Sequence, residues 1–250
     1  MDEIEPRNWR GGPKMLCHLL RPRFTLRQLL LALAVVCIGL GWWTQRARQQ
    51  QRIVAGIEKT YGTVTYSFEP QPTPKMYHRR SPVPQWLVER LGEDFFHSVV
   101  RAHVRGDVDI AQVAKLTAIS DLTIWKEDLT DETLLPIARM RGLKRLTIQS
   151  DKHQSLPGDY PDTTRITDHS LAVIASLPNL EEVYVDGTHF TAAGIAQLAR
   201  STSLRKVYVR FCDESVTAEA AAPFDTAGRV TTLTIRKWIP GTGEEFVVNR

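Results

Sequence analysis

One apolar pattern, Leu-x-x-Leu-x-Ile and its close variants, recurs along the second half of the chain and constrains the fold more than any other feature. Five copies are clear, and a weaker copy precedes them. The last core positions of successive copies lie 20, 24, 37, 24 and 26 residues apart, and one common class of structural repeat is 20–29 residues long. The copies are Val99/Ala102/Val104, Ile119/Leu122/Ile124, Leu143/Leu146/Ile148, Leu180/Val183/Val185, Leu204/Val207/Val209 and Val230/Leu233/Ile235. This repetition predicts stacked units that share one core and expose an extended surface.

Each copy combines a strand pattern with the start of a helix. Alternation places Leu122 and Ile124 on one side of a strand, and Thr123 and Trp125 on the other. A Thr then stands where a helix would begin, and its hydroxyl can accept a hydrogen bond from a free N–H of the first turn. These residues are Thr130, Thr167, Thr191 and Thr217; the apolar helix positions after the first three are Leu134/Leu135/Ala138, Leu171/Ile174/Ala175 and Ile195/Leu198/Ala199. The sequence therefore predicts an α/β leucine-rich-repeat solenoid, with parallel strands on the concave side and helices on the convex side.

Two runs carry a resemblance to a known class. Residues 166–175 and 186–198 resemble ribonuclease-inhibitor-like leucine-rich repeats, whose helical half opens Ile-Thr-Asp-x-Gly-Leu. From about residue 21 to residue 240, the chain also resembles planctomycete membrane-anchored proteins that contain such repeats. The matching pieces are Arg23-Phe24-Thr25-Leu26-Arg27-Gln28-Leu29-Leu30, Gly41-Trp42-Trp43, Trp86-Leu87 and Leu91-Gly92-Glu93-Asp94-Phe95-Phe96. The resemblance implies a cytoplasmic N-terminus and repeats on the outer, periplasmic side of the inner membrane, and it implies no catalytic motif.

An uncharged stretch near the N-terminus, residues 28–45, predicts a membrane-spanning helix. Its core, Leu29 to Trp43, is 15 consecutive apolar or Gly residues, whereas a spanning helix usually needs about 20. Trp42 and Trp43 suit the membrane interface, and flanking arginines can reach the headgroups, which lengthens the effective span. A cleaved signal peptide and a buried core helix are the alternatives. No small-x-small cleavage site follows the stretch, so we favour a retained single-pass anchor in the lipid bilayer.

Charge and cysteine usage limit the function classes. The net charge of +4 arises from residues 1–52, which carry +6, while the remainder carries −2. The basic surplus thus flanks the predicted anchor, and we expect no nucleic-acid partner. Within the repeats Cys212 has no second cysteine to pair with, and its position three residues after Val209 predicts a buried structural residue.

Six regions follow from these patterns. They are a basic N-terminus (1–27), the membrane helix (28–45), a juxtamembrane segment with a helical extension, a short strand and a Pro-rich linker (46–84), an N-terminal cap (85–98), about six repeats with an insertion at 150–163 (99–240), and a tail (241–250). Thr63 to Phe68 alternates like the short strand. A cap is expected because the first repeat of a solenoid needs its open end covered.

Candidate binding residues occupy the non-core strand positions of the repeats. They are Trp125, Gln149, Tyr184, Asp186, Tyr208, Arg210 and Arg236. Trp, Tyr and Arg dominate the energetics of protein interfaces, and we expect Trp125, Tyr184 and Tyr208 to lie in register on one sheet. The simpler interpretation is that aromatic side chains only stabilise neighbouring strands. The prediction is a protein or peptide partner on the concave face; the alternative is a structural, self-associating envelope protein without a specific ligand.

The sequence contains none of three common catalytic motifs and no calcium-loop spacing. The sequence lacks a Gly-x-Ser-x-Gly elbow, a phosphate-binding Gly-rich loop and a His-Glu-x-x-His motif. Asp151, Asp159 and Asp162 of the insertion do not have the spacing of a calcium loop, so a solvated polar loop is expected there. We therefore predict no catalytic residues, no metal, no cofactor and no small-molecule substrate. An enzyme would need a site that only the fold assembles.

Overall fold

A mixed eight-stranded sheet, in which the strands follow chain order, is the centre of the fold. The computed structural model describes residues 26–69, 81–149, 165–187, 189–212, 216–239 and 243–249. The strands are β1 (Thr63–Tyr66), β2 (Val99–Arg105), β3 (Asp121–Trp125), β4 (Arg145–Gln149), β5 (Glu182–Asp186), β6 (Lys206–Cys212), β7 (Thr232–Ile239) and β8 (Gly243–Asn249). Strands β2 to β7 are parallel, while β1 and β8 pair antiparallel with β2 and β7. The sheet is open, with β1 and β8 at its edges.

The residues of the repeated apolar pattern form the core, as their alternation predicts. From Val99 to Ile235, the predicted core positions are at most 3% exposed, except Val230, which is partly buried. Each Leu, Ile or Val buried in this way stabilises the fold by about 1.5–3 kcal/mol relative to an exposed side chain. The α/β class and the positions of the strands in all six copies are therefore confirmed.

Short helices follow the strands. They are α3 (Ile110–Val113), α4 (Asp131–Leu134), α5 (Asp168–Ala175), α6 (Ala192–Leu198) and α7 (Ala222–Ala227). Three of the five, α4, α5 and α6, begin directly after a predicted threonine. Thr130, Thr167 and Thr191 are N-caps whose hydroxyls accept hydrogen bonds from backbone N–H groups of the first turn. Thr217 precedes a 3₁₀ turn, Ala218–Ala221, and its side chain makes no capping bond.

Of the positions Leu134, Leu135 and Ala138, which the sequence predicts to face the strands, only Leu134 does so; Leu135 and Ala138 are exposed. A 3₁₀ turn, Leu135–Arg139, continues from α4 and carries a proline at its start. A 3₁₀ turn has three residues per turn, so the inward position moves on to Ile137, which is 1% exposed, whereas Leu135 is 46% exposed.

Two aspartates join neighbouring N-caps. The Asp131 carboxylate accepts hydrogen bonds from the N–H of Thr167 (2.9 Å), from its hydroxyl (2.7 Å) and from the Ser170 hydroxyl. Asp168 accepts from the N–H of Thr191 at 2.9 Å and from its hydroxyl at 2.6 Å. Each aspartate thus ties its own helix to the start of the next one, and a carboxylate near a helix N-terminus is also favoured electrostatically.

The N-terminal helix α1, Leu26–Lys59, contains the predicted anchor. No residue of its apolar stretch is buried, and α1 is long and apolar enough to span a membrane. The prediction that the helix extends beyond residue 46 is confirmed. Its last fifteen residues belong to the compact unit 45–250, where they present a buried stripe at helical spacing: Ala47, Gln50, Ile53, Val54 and Ile57.

At the β2 end of the repeats, the core is covered mainly by residues of α1 and β1, and not by the cap predicted at 85–98. In that segment α2, Gln85–Leu91, has no buried side chain, whereas Tyr66 of β1 enters the core. Asp94 accepts hydrogen bonds from the Gln50 amide at 3.0 Å and from the Tyr66 hydroxyl at 3.1 Å. Burial, and then the Asp94 charge, raise the pKa of Tyr66 far above its usual value, so this hydroxyl remains a donor.

At the other end of the sheet, the predicted boundary between the repeats and the tail is wrong. Residues 241–250 are a tail in the sequence-based prediction, but Gly243–Asn249 form β8. Its pairing with β7 satisfies backbone groups that would otherwise face solvent at the edge of the parallel strands. The insertion at 150–163, with its three aspartates, lies outside the described residues, as do the N-terminus up to residue 25 and most of the Pro-rich linker.

Candidate interaction surface

The face of the sheet opposite the core, called the outer face, carries three rows of side chains. In the register of the sheet, residues at equal positions of adjacent strands lie side by side. The charged row is Arg101, Asp121, Arg145, Glu182 and Lys206; the middle row is His103, Thr123, Thr147, Tyr184, Tyr208 and Thr234; the distal row is Arg105, Trp125, Gln149, Asp186 and Arg210. The six adjacent parallel strands β2 to β7 therefore carry polar and aromatic groups on this face.

The charged row alternates in sign from strand to strand. Asp121 accepts from Arg101 at 3.0 Å and from Arg145 at 2.7 Å. Glu182 continues the row, 3.2 Å from Arg145 and 3.6 Å from Lys206. Partial burial would lower the pKa of Arg145, but its hydrogen bonds to the two carboxylates outweigh this and raise it. Opposite charges on directly opposed strand residues stabilise the pairing, so this row holds the strands in register.

This row is missing from the sequence-based prediction, although its signal is present. In five successive copies, the residue before the second core position is Arg, Asp, Arg, Glu and Lys. Alignment of the copies at that position would have revealed the alternation.

An aromatic and cationic cluster joins β2 and β3. The rings of His103 and Trp125 meet edge to face with centroids 4.6 Å apart. The guanidinium of Arg105 lies 4.2 Å from the centroid of the Trp125 ring. A cation over an aromatic face is stabilised by about 0.5–1 kcal/mol at exposed sites, and this contact also fixes the plane of the guanidinium. Trp125 is half-buried, so part of its ring remains open to solvent.

A second cluster joins β5 and β6. The rings of Tyr184 and Tyr208 stack at 6.0 Å, and Arg210 donates a hydrogen bond to the Tyr184 hydroxyl. The same guanidinium lies 4.7 Å from the centroid of Phe211. Burial, followed by the charge of Asp186, raises the pKa of Tyr184, so its hydroxyl stays protonated near neutral pH.

One predicted site residue is not on the accessible surface. Asp186 is 2% exposed. It is paired with Arg210 in the register and follows Tyr184 by two residues on the same face. The Asp186 carboxylate is therefore not available to a partner on the outer face.

The expectation that Trp125 lies in register with the two tyrosines is also wrong. Tyr184 pairs with Tyr208 and with Thr147, which pairs with Thr123. Trp125 pairs instead with Gln149, in the distal row. The three aromatic residues share the outer face, but they belong to two rows.

Arg236 is displaced from the distal row by an irregularity in β6. The register shifts between Val209 and Cys212, where Phe211 has a φ of 59°. The prediction for Cys212 is confirmed, since the residue is 3% exposed and its thiol donates to the backbone oxygen of Arg236 at 3.2 Å. The Arg236 side chain is half-buried.

Metal chemistry finds no support in the part of the chain that the structure describes, where no group of three or more His, Cys, Asp or Glu could hold an ion. No protein-family model matches the chain, and no curated protein is similar to it in sequence.

Proposed function

We propose that this chain is a single-pass, membrane-anchored leucine-rich-repeat protein whose solenoid binds a protein or peptide on the outer face of its sheet. The two clusters around Trp125 and around Tyr184 are the observation that carries the proposal. Trp, Tyr and Arg are the residue types most enriched among interface residues that dominate binding energy. Here they gather on one face, half-exposed, although strand pairing alone does not require aromatic residues.

Preorganisation of these side chains supports a recognition role. Ordering a flexible side chain at an interface costs about 0.5–1.5 kcal/mol. Arg105 is held against Trp125 and Arg210 against Tyr184 and Phe211, so much of that cost is met before binding. A surface whose large groups are fixed in this way is suited to specific association.

The anchor supports the proposed location. Helix α1 supplies a stretch long and apolar enough to span a membrane. A periplasmic position of the repeats is part of the proposal and follows the resemblance to planctomycete proteins. In that arrangement, the protein is an adaptor or recognition module at the membrane, without catalysis or cofactor.

Crosslinking and affinity capture from native membranes test this function. The intact protein is compared with a Trp125→Ala, Tyr184→Ala, Tyr208→Ala variant whose fold is verified by circular dichroism. The matched control is Trp86→Ala, which removes an aromatic residue that is 63% exposed and lies on α2. We expect a partner captured by the intact protein and the control but not by the triple variant.

Two results would contradict the proposal. Equal capture by all three proteins would show that the outer face does not bind the partner. Capture of further copies of this chain alone would favour a structural, self-associating role.

A further inference from the structure

A groove lies between the C-terminal part of α1 and the loop that joins β2 to α3, within the compact unit 45–250. Its volume is about 530 Å³, and binding sites for small organic ligands usually measure about 300–1,000 Å³. Its apolar lining includes Ile53, which is 7% exposed, and Val108, which packs partly buried against the core. The groove therefore has the size and the apolar lining of a small-molecule site.

Gly56 keeps the α1 wall of the groove open. It lies between Arg52 and Lys59 on one helix face, four residues after the first and three before the second. A Cβ atom added there would meet no other part of the fold within 4 Å, so packing does not require a glycine. Glycine in a helix costs about 1 kcal/mol relative to alanine, and here it leaves space between two cationic side chains. Both side chains are exposed, and within the described part of the chain neither forms an ion pair or a hydrogen bond.

The other wall of the groove carries the carboxylates of Asp107 and Asp109. Asp107 forms an ion pair with Lys126 at 2.9 Å. Asp109 caps α3 through Oδ1, which accepts from the N–H of Ala111 at 2.8 Å, and its second oxygen accepts no hydrogen bond from a described residue. The groove thus offers two free cations on one wall and a free carboxylate oxygen on the other.

We propose that this groove binds the headgroup of phosphatidylethanolamine, a phosphodiester that carries a primary ammonium group. The phosphate lies over Gly56 and accepts hydrogen bonds from Arg52 and Lys59, and the ammonium group donates to Asp109. The glycerol end of the lipid contacts Ile53. A membrane lipid is the occupant because the chain has a helix long and apolar enough to span a membrane, so the inference rests on the proposed membrane location.

Other phospholipid headgroups fit the two walls less well. Phosphatidylglycerol is anionic without a cation, so the two aspartates repel it. Phosphatidylcholine has both charges, but its quaternary ammonium group has no hydrogen to donate to a carboxylate. The arrangement of charges therefore favours a headgroup that carries both a phosphate and an N–H donor.

Native mass spectrometry of the full-length protein in detergent micelles tests the inference, with dilauroyl forms of the three lipids competing at equal concentration. We expect phosphatidylethanolamine to be the main bound lipid. A Lys or Arg close to anionic lipid contributes about fivefold in affinity, so Arg52→Gln and Lys59→Gln should each weaken its binding by about that factor. Asp109→Asn should remove the preference over phosphatidylcholine and preserve the helix cap, because Asn and Asp are equally good N-caps.

Arg48→Gln is the matched control, because Arg48 is an exposed arginine of α1 that does not line the groove. It should change binding by less than about twofold, since it lies outside the site. Equal loss in Arg48→Gln and Arg52→Gln would show attraction to overall charge and would overturn the site. Equal binding of the three lipids would overturn the headgroup, and binding of O-phosphoethanolamine as tight as that of the lipid would overturn the membrane source. Extraction of native membranes with alkaline carbonate tests the anchor separately: a chain that resists extraction but shows no lipid preference would refute the groove and leave the proposed function standing.

Discussion

An added methyl group at Gly194 should displace the Asp168 carboxylate, which joins two neighbouring helices. A Cβ atom there would lie 1.9 Å from Oδ1 of Asp168 and 2.2 Å from its Cγ. Real Cβ atoms do not approach other heavy atoms so closely, so in Gly194→Ala the carboxylate must leave its place. It then loses the hydrogen bonds from the N–H and the hydroxyl of Thr191.

The expected loss of stability can be worked out from these contacts. A hydrogen bond to a charged group contributes about 1.5–3 kcal/mol, and the lower value applies because Asp168 is partly exposed. Two such bonds amount to about 3 kcal/mol. Alanine is favoured over glycine inside a helix by about 1 kcal/mol, which offsets part of the loss. Gly194→Ala should therefore lower the free energy of unfolding by about 2 kcal/mol.

Urea unfolding of the full-length protein in detergent micelles, followed by circular dichroism, measures this change. Gly56→Ala is the matched control, because Gly56 is also helical but no atom lies within 4 Å of its added Cβ. That substitution should raise the free energy of unfolding by up to about 1 kcal/mol. In an Asp168→Ala background, the bonds and the carboxylate are already gone. The helix gain of about 1 kcal/mol is then opposed only by a 2.8 Å contact with the Cβ of residue 168, so Gly194→Ala should change the free energy of unfolding little. Stabilisation by Gly194→Ala, or full additivity in the double variant, would refute the reasoning.

Three further predictions concern the polar groups. Asp121→Asn leaves two guanidinium groups facing each other without their common carboxylate; it should lower the free energy of unfolding in urea by about 2–3 kcal/mol, against about 1 kcal/mol for Glu182→Gln. Burial would raise the pKa of Asp131, but hydrogen bonds from Ser170 and Thr167 outweigh it and lower that pKa. These bonds therefore stabilise the fold at pH values above the ordinary pKa of Asp. That contribution is lost as pH falls through the lowered pKa; below about pH 4, the unfolding free energy should fall more steeply for the wild type than for Asp131→Asn. In a variant lacking the other cysteines, Cys212 should react with a thiol reagent only at the rate of unfolding, and fast labelling in the folded state would contradict its burial.

The strands and caps were predictable because their signals are local. Alternation within five or six residues determines which side chains are buried, and a Thr at an N-cap acts within its own turn. Strand β8 was not predictable in this way, since it depends on pairing with β7. The buried stripe of α1 around Ile53 has helical spacing, but arginines and glutamines among it conceal its apolar character.

The candidate surface was predicted in composition but not in arrangement. The half-buried Trp125, Tyr184 and Arg210 share the predicted face. Their rows could have been derived by counting, because Trp125 follows by two residues the Thr123 that shares the row of Tyr184. Burial of Asp186 could not be derived from its strand position, because alternation places it on the same face as the half-buried Tyr184.

The antiparallel strands β1 and β8 have a consequence for how such a chain can change length. A parallel stack has two open edges, and a further copy of the unit could in principle join either one. Here the chain reverses direction at each edge, so neither end offers a parallel strand position to an added unit. Growth by gene duplication is therefore confined to the interior between β2 and β7, where an inserted copy extends the three rows and leaves both ends as they are.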